Sequence, residues 1–141
     1  MSEPAQYLLD TDVLSETRKR RADEKLIAFV AETDPSAMFL SVLTLGELRK
    51  AVALKQHTDP PAAKSIAAWV DGLEFSFADR ILGIDAATAR VWGELSAQRP
   101  RPVIDTLLAA TAAVHGLTLV TRNTSDVQDI DVTLLNPFAH R

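Results

Sequence analysis

Four acidic residues stand far apart in the chain, each inside an apolar, structure-forming stretch: Asp10 in YLLDTDVLSE, Glu47 in LSVLTLGELRKAV, Asp105 in RPVIDTLLAATAAVHG and Asp126 in LTLVTRNTSDV. An ionised carboxylate beside a core is costly, and several crowded together repel, so such a set persists when something cationic neutralises it. Oxygen ligands suit Mg²⁺ or Mn²⁺. Read jointly, the four acids are candidate ligands of one divalent-cation site.

Each acid also has a local explanation. Asp10 or Asp12 can end a strand in a turn by accepting from backbone amides. In extended backbone these two would share a face, whereas a turn would separate them. Glu47 suits the dipole of a helix start, Asp105 suits a helix cap, and Asp126 beside Asn123, Thr124 and Ser125 suits an Asx turn. Joint occurrence in the right topological places is what lifts the set above these local roles.

The elements that must position the acids are legible as short apolar runs alternating with helical spacing. Strands are expected at 7–9, 38–43, 81–84, 117–120 and 132–135, and helices at 23–32, 45–55, 61–73, 86–98 and 103–115. Asp34-Pro35 and Asp59-Pro60-Pro61 oppose helix before each proline, Asp85 suits an N-cap, and Gly116 suits a helix end. Strand–helix alternation predicts an α/β fold with parallel pairing through crossovers, and ligands of such sheets bind beyond the carboxyl ends of the strands. Asp10 and the Asp126 loop fall there directly, and Glu47 and Asp105 can point to the same edge from early helix turns.

At 141 residues and 47% hydrophobic content, the chain is expected to be a single domain spanning 1–141. It has no cysteine, so disulfides and thiolate metal sites are excluded and the cytoplasm is the expected compartment. Acidic Glu3, Asp10 and Asp12 in the first segment oppose a signal peptide, and no run is long enough to span a bilayer. A net charge of −4 opposes coating nucleic acid by charge alone. It does not oppose a nuclease, whose centre is itself acidic and whose rim can still hold phosphates.

In order and spacing, YLLDTDVLSE, LSVLTLGELRKAV and PVIDTLLAATAAVHGLTLVTRN with NTSDV resemble the four acidic segments of the PIN-domain ribonucleases, and within them the VapC-type toxins of toxin–antitoxin pairs. The resemblance covers nearly the whole chain and implies a three-layer α/β/α fold on a central, mainly parallel five-stranded sheet. It places metal ligands and catalytic acids at Asp10, Glu47, Asp105 and Asp126, with Thr121 and Asn123 supporting them. Asp12 stands where the family often has Asn, adding a carboxylate, and Val127 stands where an aromatic often follows the last Asp. The implied activity is Mg²⁺-dependent RNA cleavage by a water nucleophile, with 5′-phosphate and 3′-hydroxyl products. The implied partners are RNA, a small VapB-like antitoxin whose basic tail occupies the acidic groove, and a second copy in a homodimer.

For RNA contact, Arg122 comes first, lying between the fourth strand and Asp126, followed by the run Arg18-Lys19-Arg20-Arg21; Arg49, Arg99 and Arg101 are further candidates. His57, His115 and His140 have no ligand spacing. Trp69 and Trp92 sit at core spacing. Two other functional classes fit parts of the chain. DTDVL and LTLVT fit a haloacid-dehalogenase-like phosphatase, but no lysine follows Lys64 to complete it. A binding module whose carboxylates only cap helices or engage a basic partner is the non-enzymatic alternative.

Overall fold

Parallel strands buried on both faces read as continuous apolar runs, and the order of apolar residues along each run decides which layer each one meets. The computed structural model describes residues 4–138, so Glu3 and His140 lie outside it. Its strands are β1 (Tyr7–Leu9), β2 (Met38–Ser41), β3 (Ile81–Leu82), β4 (Thr118–Val120) and β5 (Leu134–Leu135). Its helices are α1 (Thr11–Thr17), α2 (Glu24–Glu32), α3 (Val42–Gln56), α4 (Pro60–Ser76), α5 (Ala86–Gln98) and α6 (Val103–His115). The sheet runs β3-β2-β1-β4-β5, and every neighbouring pair is parallel.

Alternation sorts the two cores. Leu8 and Leu119 point to one face, where Leu108, Ala109 and Ala112 of α6 cover them. Leu9, Leu40 and Val120 point to the other, under Val13 and Leu14 of α1, Leu26 of α2, and Trp69 and Leu73 of α4. Truncating a side chain as enclosed as Leu8 to Ala costs about 2–5 kcal/mol, so this sandwich fixes strand register, and with it the position of Asp10.

Helix punctuation follows from side-chain chemistry. Asp23, Asp59 and Asp85 each accept from the backbone N–H three residues on, capping α2, α4 and α5. Gly116 ends α6 with φ +67, the left-handed region where a Cβ is strained.

Several elements differ from the expectation, among them α4, which runs on to Ser76. The run MFLSVL leaves the strand at Ser41, whose hydroxyl accepts from Leu43 N–H and starts α3 at Val42 rather than 45. Helix α1 was not foreseen at all: Asp10 caps it by accepting from Val13 N–H at 2.9 Å. The third and fifth strands are shorter than the apolar runs that suggested them, two residues each, because only those residues pair with a neighbour.

β1 is central, with β2 and β3 on one side and β4 and β5 on the other. The connections therefore diverge between β1 and β4, and the carboxyl ends of those strands frame a crevice. Asp10 N–H still bonds Val120 carbonyl at 3.1 Å, so the crevice opens directly past the last rung of the ladder.

Candidate active site

The crevice is lined by carboxylates. Asp10, Asp12, Glu47 and Asp105, with Thr11 and Leu108, surround a cleft of about 90 Å³. A much smaller recess of about 10 Å³ adjoins it, lined by Asp10, Asp105, Thr121, Asn123 and Val127 among others. Asp126 lies across Asn123 from Asp105: the Asn123 Nδ2 amide donates to Asp105 Oδ2 at 3.2 Å and to Asp126 Oδ2 at 2.6 Å. Residues 116 positions apart in sequence thus share one crevice, brought there by β1, α3, α6 and the 3-10 turn Thr124–Asp126 after β4.

The local explanations fare differently from one acid to the next. Asp10 does cap α1, yet it also faces both clefts. Asp105 caps nothing: α6 begins at Val103, after Pro102 and with no side-chain cap, and the Asp105 carboxylate accepts from Asn123 instead. The 3-10 turn has no side-chain cap either, leaving Asp126 turned to the same amide. Glu47 accepts from the Thr11 hydroxyl at 2.5 Å, and Thr11 also lies 3.3 Å from the fully buried Thr44 hydroxyl. Asp12 falls in the first turn of α1, exposed, at the outer edge of the cleft.

The electrostatics are those of an anion cluster awaiting a counter-charge. Burial pushes the Asp10 carboxyl up to about 6, helped by Asp12 and Asp105 and opposed by hydrogen bonds from Thr121 and Val13. Burial also raises Asp105, followed by the charges of Asp126 and Glu47. Raised acids on facing walls mean that the ionised form is penalised, a penalty that a positive charge placed between them would relieve. Among the described residues the acids do not close into a ready-made metal cage. A cleft of about 90 Å³ is large enough to admit water and a small ion. Its carboxylate oxygens are hard donors of the kind that hard divalent cations take.

The expected RNA-contacting arginines are mostly engaged within the fold. Arg122 lies 3.7 Å from the centroid of the Phe138 ring and 3.6 Å from Glu16. Arg18 stacks on Trp69 and donates to Ser65. Arg49 pairs with Asp71 and Glu74, and Arg99 and Arg101 both grip Asp129. Arg20 and Arg21 are exposed beside α2. Sequence reasoning missed Thr11, Thr44 and the buried Glu16, which Lys19, the Asp23 amide and Arg122 hold below the ordinary carboxylate value. The one available signal was Thr44 lying three residues before Glu47 in a helix.

Fold and crevice together define an α/β protein with an acidic site at the carboxyl edge of a parallel sheet. A family model described as PIN domain matches residues 7–131, and the chain belongs to that family, in its VapC-type toxin branch. Toxin FitB of Neisseria gonorrhoeae is 31% identical over 93% of this chain and 97% of its own length. The VapC ribonuclease Y4jK of Sinorhizobium fredii is 31% identical over 93% of this chain and 96% of its own. The crystal structure of FitAcB from Neisseria gonorrhoeae superposes with a TM-score of 0.85 at 29% identity, covering 94% of this chain and 98% of that one. DTDVL is accordingly the first acidic segment of a PIN domain and not the nucleophile loop of a phosphatase.

Proposed function

We propose that the chain is a divalent-cation-dependent ribonuclease and the toxin of a VapBC-type pair. The observation that carries the reading is the crevice in which Asp10, Glu47 and Asp105 line one cleft and Asn123 joins Asp126 to them. Asp10, Glu47, Asp105 and Asp126 would hold Mg²⁺ or Mn²⁺. Bound there, such an ion would supply charge neutralisation at a phosphodiester and activation of water. The chain's own residues provide the rest. Thr121 and the Val13 amide orient Asp10, Asn123 sets Asp105 against Asp126, and Thr11 fixes Glu47. In this reading water attacks the phosphorus, so the RNA 2′-hydroxyl takes no part; the P–O3′ bond breaks, the leaving 3′-oxygen takes up a proton, and the products carry 5′-phosphate and 3′-hydroxyl ends.

RNA is the substrate this reading favours, since the similar Y4jK is named a ribonuclease. Arg122, next in sequence to Thr121 and Asn123, and Arg18 and Arg20, just past the end of α1, are the proposed phosphate contacts. A small VapB-like antitoxin is the proposed partner, its basic tail drawn to the acidic crevice, and the similar FitB is itself named a toxin. A homodimer and a cytoplasmic location belong to the same reading. Among the described residues, no helix is long and apolar enough to cross a membrane.

Incubating a mixed tRNA and rRNA pool with purified chain, with Mg²⁺, with EDTA, and with the Asp10→Asn variant tests the proposal. Cleavage that needs metal and is lost in the variant, leaving 5′-phosphate ends, is the expected result. A 2′,3′-cyclic phosphate product, or cutting that survives EDTA, would overturn it.

A further inference from the structure

We infer that Asp129, gripped by Arg99 and Arg101, is a positioning residue that sets the separation of Asp105 and Asp126. The inference rests on the cation reading above and adds to it a part outside the crevice.

Both guanidinium groups meet Asp129 in two-pronged fashion. Arg99 donates from Nε to Oδ2 at 3.2 Å and from Nη2 to Oδ1 at 3.0 Å; Arg101 donates from Nη1 to Oδ1 at 3.1 Å and from Nη2 to Oδ2 at 3.1 Å. Such paired, charge-assisted bonds are about twice as strong as neutral ones and fix geometry as well as distance. The two arginines flank Pro100 in the link between α5 and α6, and Asp105 sits in the first turn of α6. Asp129 lies three residues past Asp126, and Arg99 Nη2 also reaches the Asp126 carbonyl at 3.4 Å. One carboxylate therefore ties the segment that launches Asp105 to the loop that carries Asp126.

Arg101 is the fixed point. Its side chain is 1% exposed, its Nε donates to the Leu95 carbonyl at 2.8 Å, and its Nη2 donates to Gln98 Oε1 at 2.8 Å. With its donors spent inside the fold, it is not free to meet a phosphate. The clamp also answers a physical need. Asp105 and Asp126 repel, and between them stands the Asn123 amide, a neutral group. A cationic tie outside the crevice holds the walls together while adding no positive charge between the carboxylates, where it would compete with a metal ion.

Amide hydrogen exchange in EDTA, comparing wild type with Asp129→Asn and with the milder Arg99→Gln, tests the clamp without metal or substrate. The reporters are the Thr106 amide, bonded to the Pro102 carbonyl, and the Val127 and Ile130 amides. In Asp129→Asn, exchange should rise about tenfold at both places together, less in Arg99→Gln, while amides of β1 stay protected. A Mn²⁺ titration followed by thermal shift should show half-saturation moved up about tenfold, as for supporting residues of metal sites generally. Faster exchange confined to Val127 and Ile130, or unchanged Mn²⁺ half-saturation in both variants, would overturn the clamp. A wild-type chain that takes up no Mn²⁺ would overturn the cation reading, and the exchange result alone would then decide the clamp.

Discussion

Replacing Asp10 with Asn should stabilise the metal-free protein while abolishing its activity. Asp10 is 7% exposed, and its carboxyl is raised from 3.8 to about 6, chiefly by burial. Between those two values the unfolded chain releases a proton that the folded chain keeps, so stability falls as pH rises through this window. Above about 6 the loss is complete, and the gap corresponds to about 3 kcal/mol. Below 3.8 both states are protonated and the loss vanishes. Asn keeps an oxygen to accept from Val13 N–H and is as good an N-cap as Asp, but it carries no charge to desolvate. Its amide nitrogen, standing where Asp10 has a second carboxylate oxygen, cannot accept the Thr121 hydrogen bond, which returns about 1 kcal/mol of the gain. Urea unfolding in EDTA should therefore place Asp10→Asn about 2 kcal/mol above wild type at pH 8 and within about 1 kcal/mol of it near pH 4. Added Mn²⁺ should reverse the order at pH 8 by stabilising wild type alone. A variant less stable than wild type at pH 8 in EDTA, or a difference that does not change with pH, would refute the reasoning and leave Asp10 as an ordinary helix cap.

Thr11→Val should raise the Mn²⁺ concentration for half-maximal cleavage about tenfold by freeing Glu47, with a stability cost of about 1 kcal/mol for the stranded Thr44 hydroxyl; Mn²⁺-dependent rates and urea unfolding together check this. Two glycines should respond with opposite signs although neither meets an atom within 4 Å of an added Cβ: Gly116→Ala, at φ +67, should lose about 1 kcal/mol, and Gly93→Ala, within α5, should gain about 0.5–1 kcal/mol, both read from thermal unfolding. Arg122→Ala should raise KM for RNA several-fold with kcat held, and cost about 1 kcal/mol for the lost contact with the Phe138 ring; steady-state kinetics at two salt concentrations would show a reduced salt dependence.

The sheet was legible because each strand is an apolar run closed by a residue with strong local chemistry. What escaped was decided over long separations or by single side chains. Ser41 ends β2 inside a run that stays apolar to Leu43, and only its hydroxyl, bonded to Leu43 N–H, reveals the bend. Helix α1, seven residues containing Asp12 and Glu16, shows no strong apolar stripe, since its burial falls on Val13, Leu14 and Glu16. The acids themselves were legible from strand ends and early helix turns, because a parallel sheet gathers those positions at one edge. Of their supports, Thr121 and Asn123 were named from the resemblance, and the others were not: Thr11 meets Glu47 across 36 residues, and Asp129 meets Arg99 and Arg101 across 30 and 28. No local spacing encodes such pairs. Reading Arg99 and Arg101 as RNA contacts weighed their charge without the Asp129 that occupies it.

The most direct test of a cation-dependent acidic site is the rate of RNA cleavage as a function of Mn²⁺ concentration, in wild type and in Asp105→Asn. Asp105 caps no helix, so its loss removes a crevice carboxylate while leaving the start of α6 intact. A rate that climbs from zero in EDTA to saturation in wild type and stays near zero in the variant is the predicted result. Cleavage in EDTA, or a variant that follows the wild-type curve, would contradict the account.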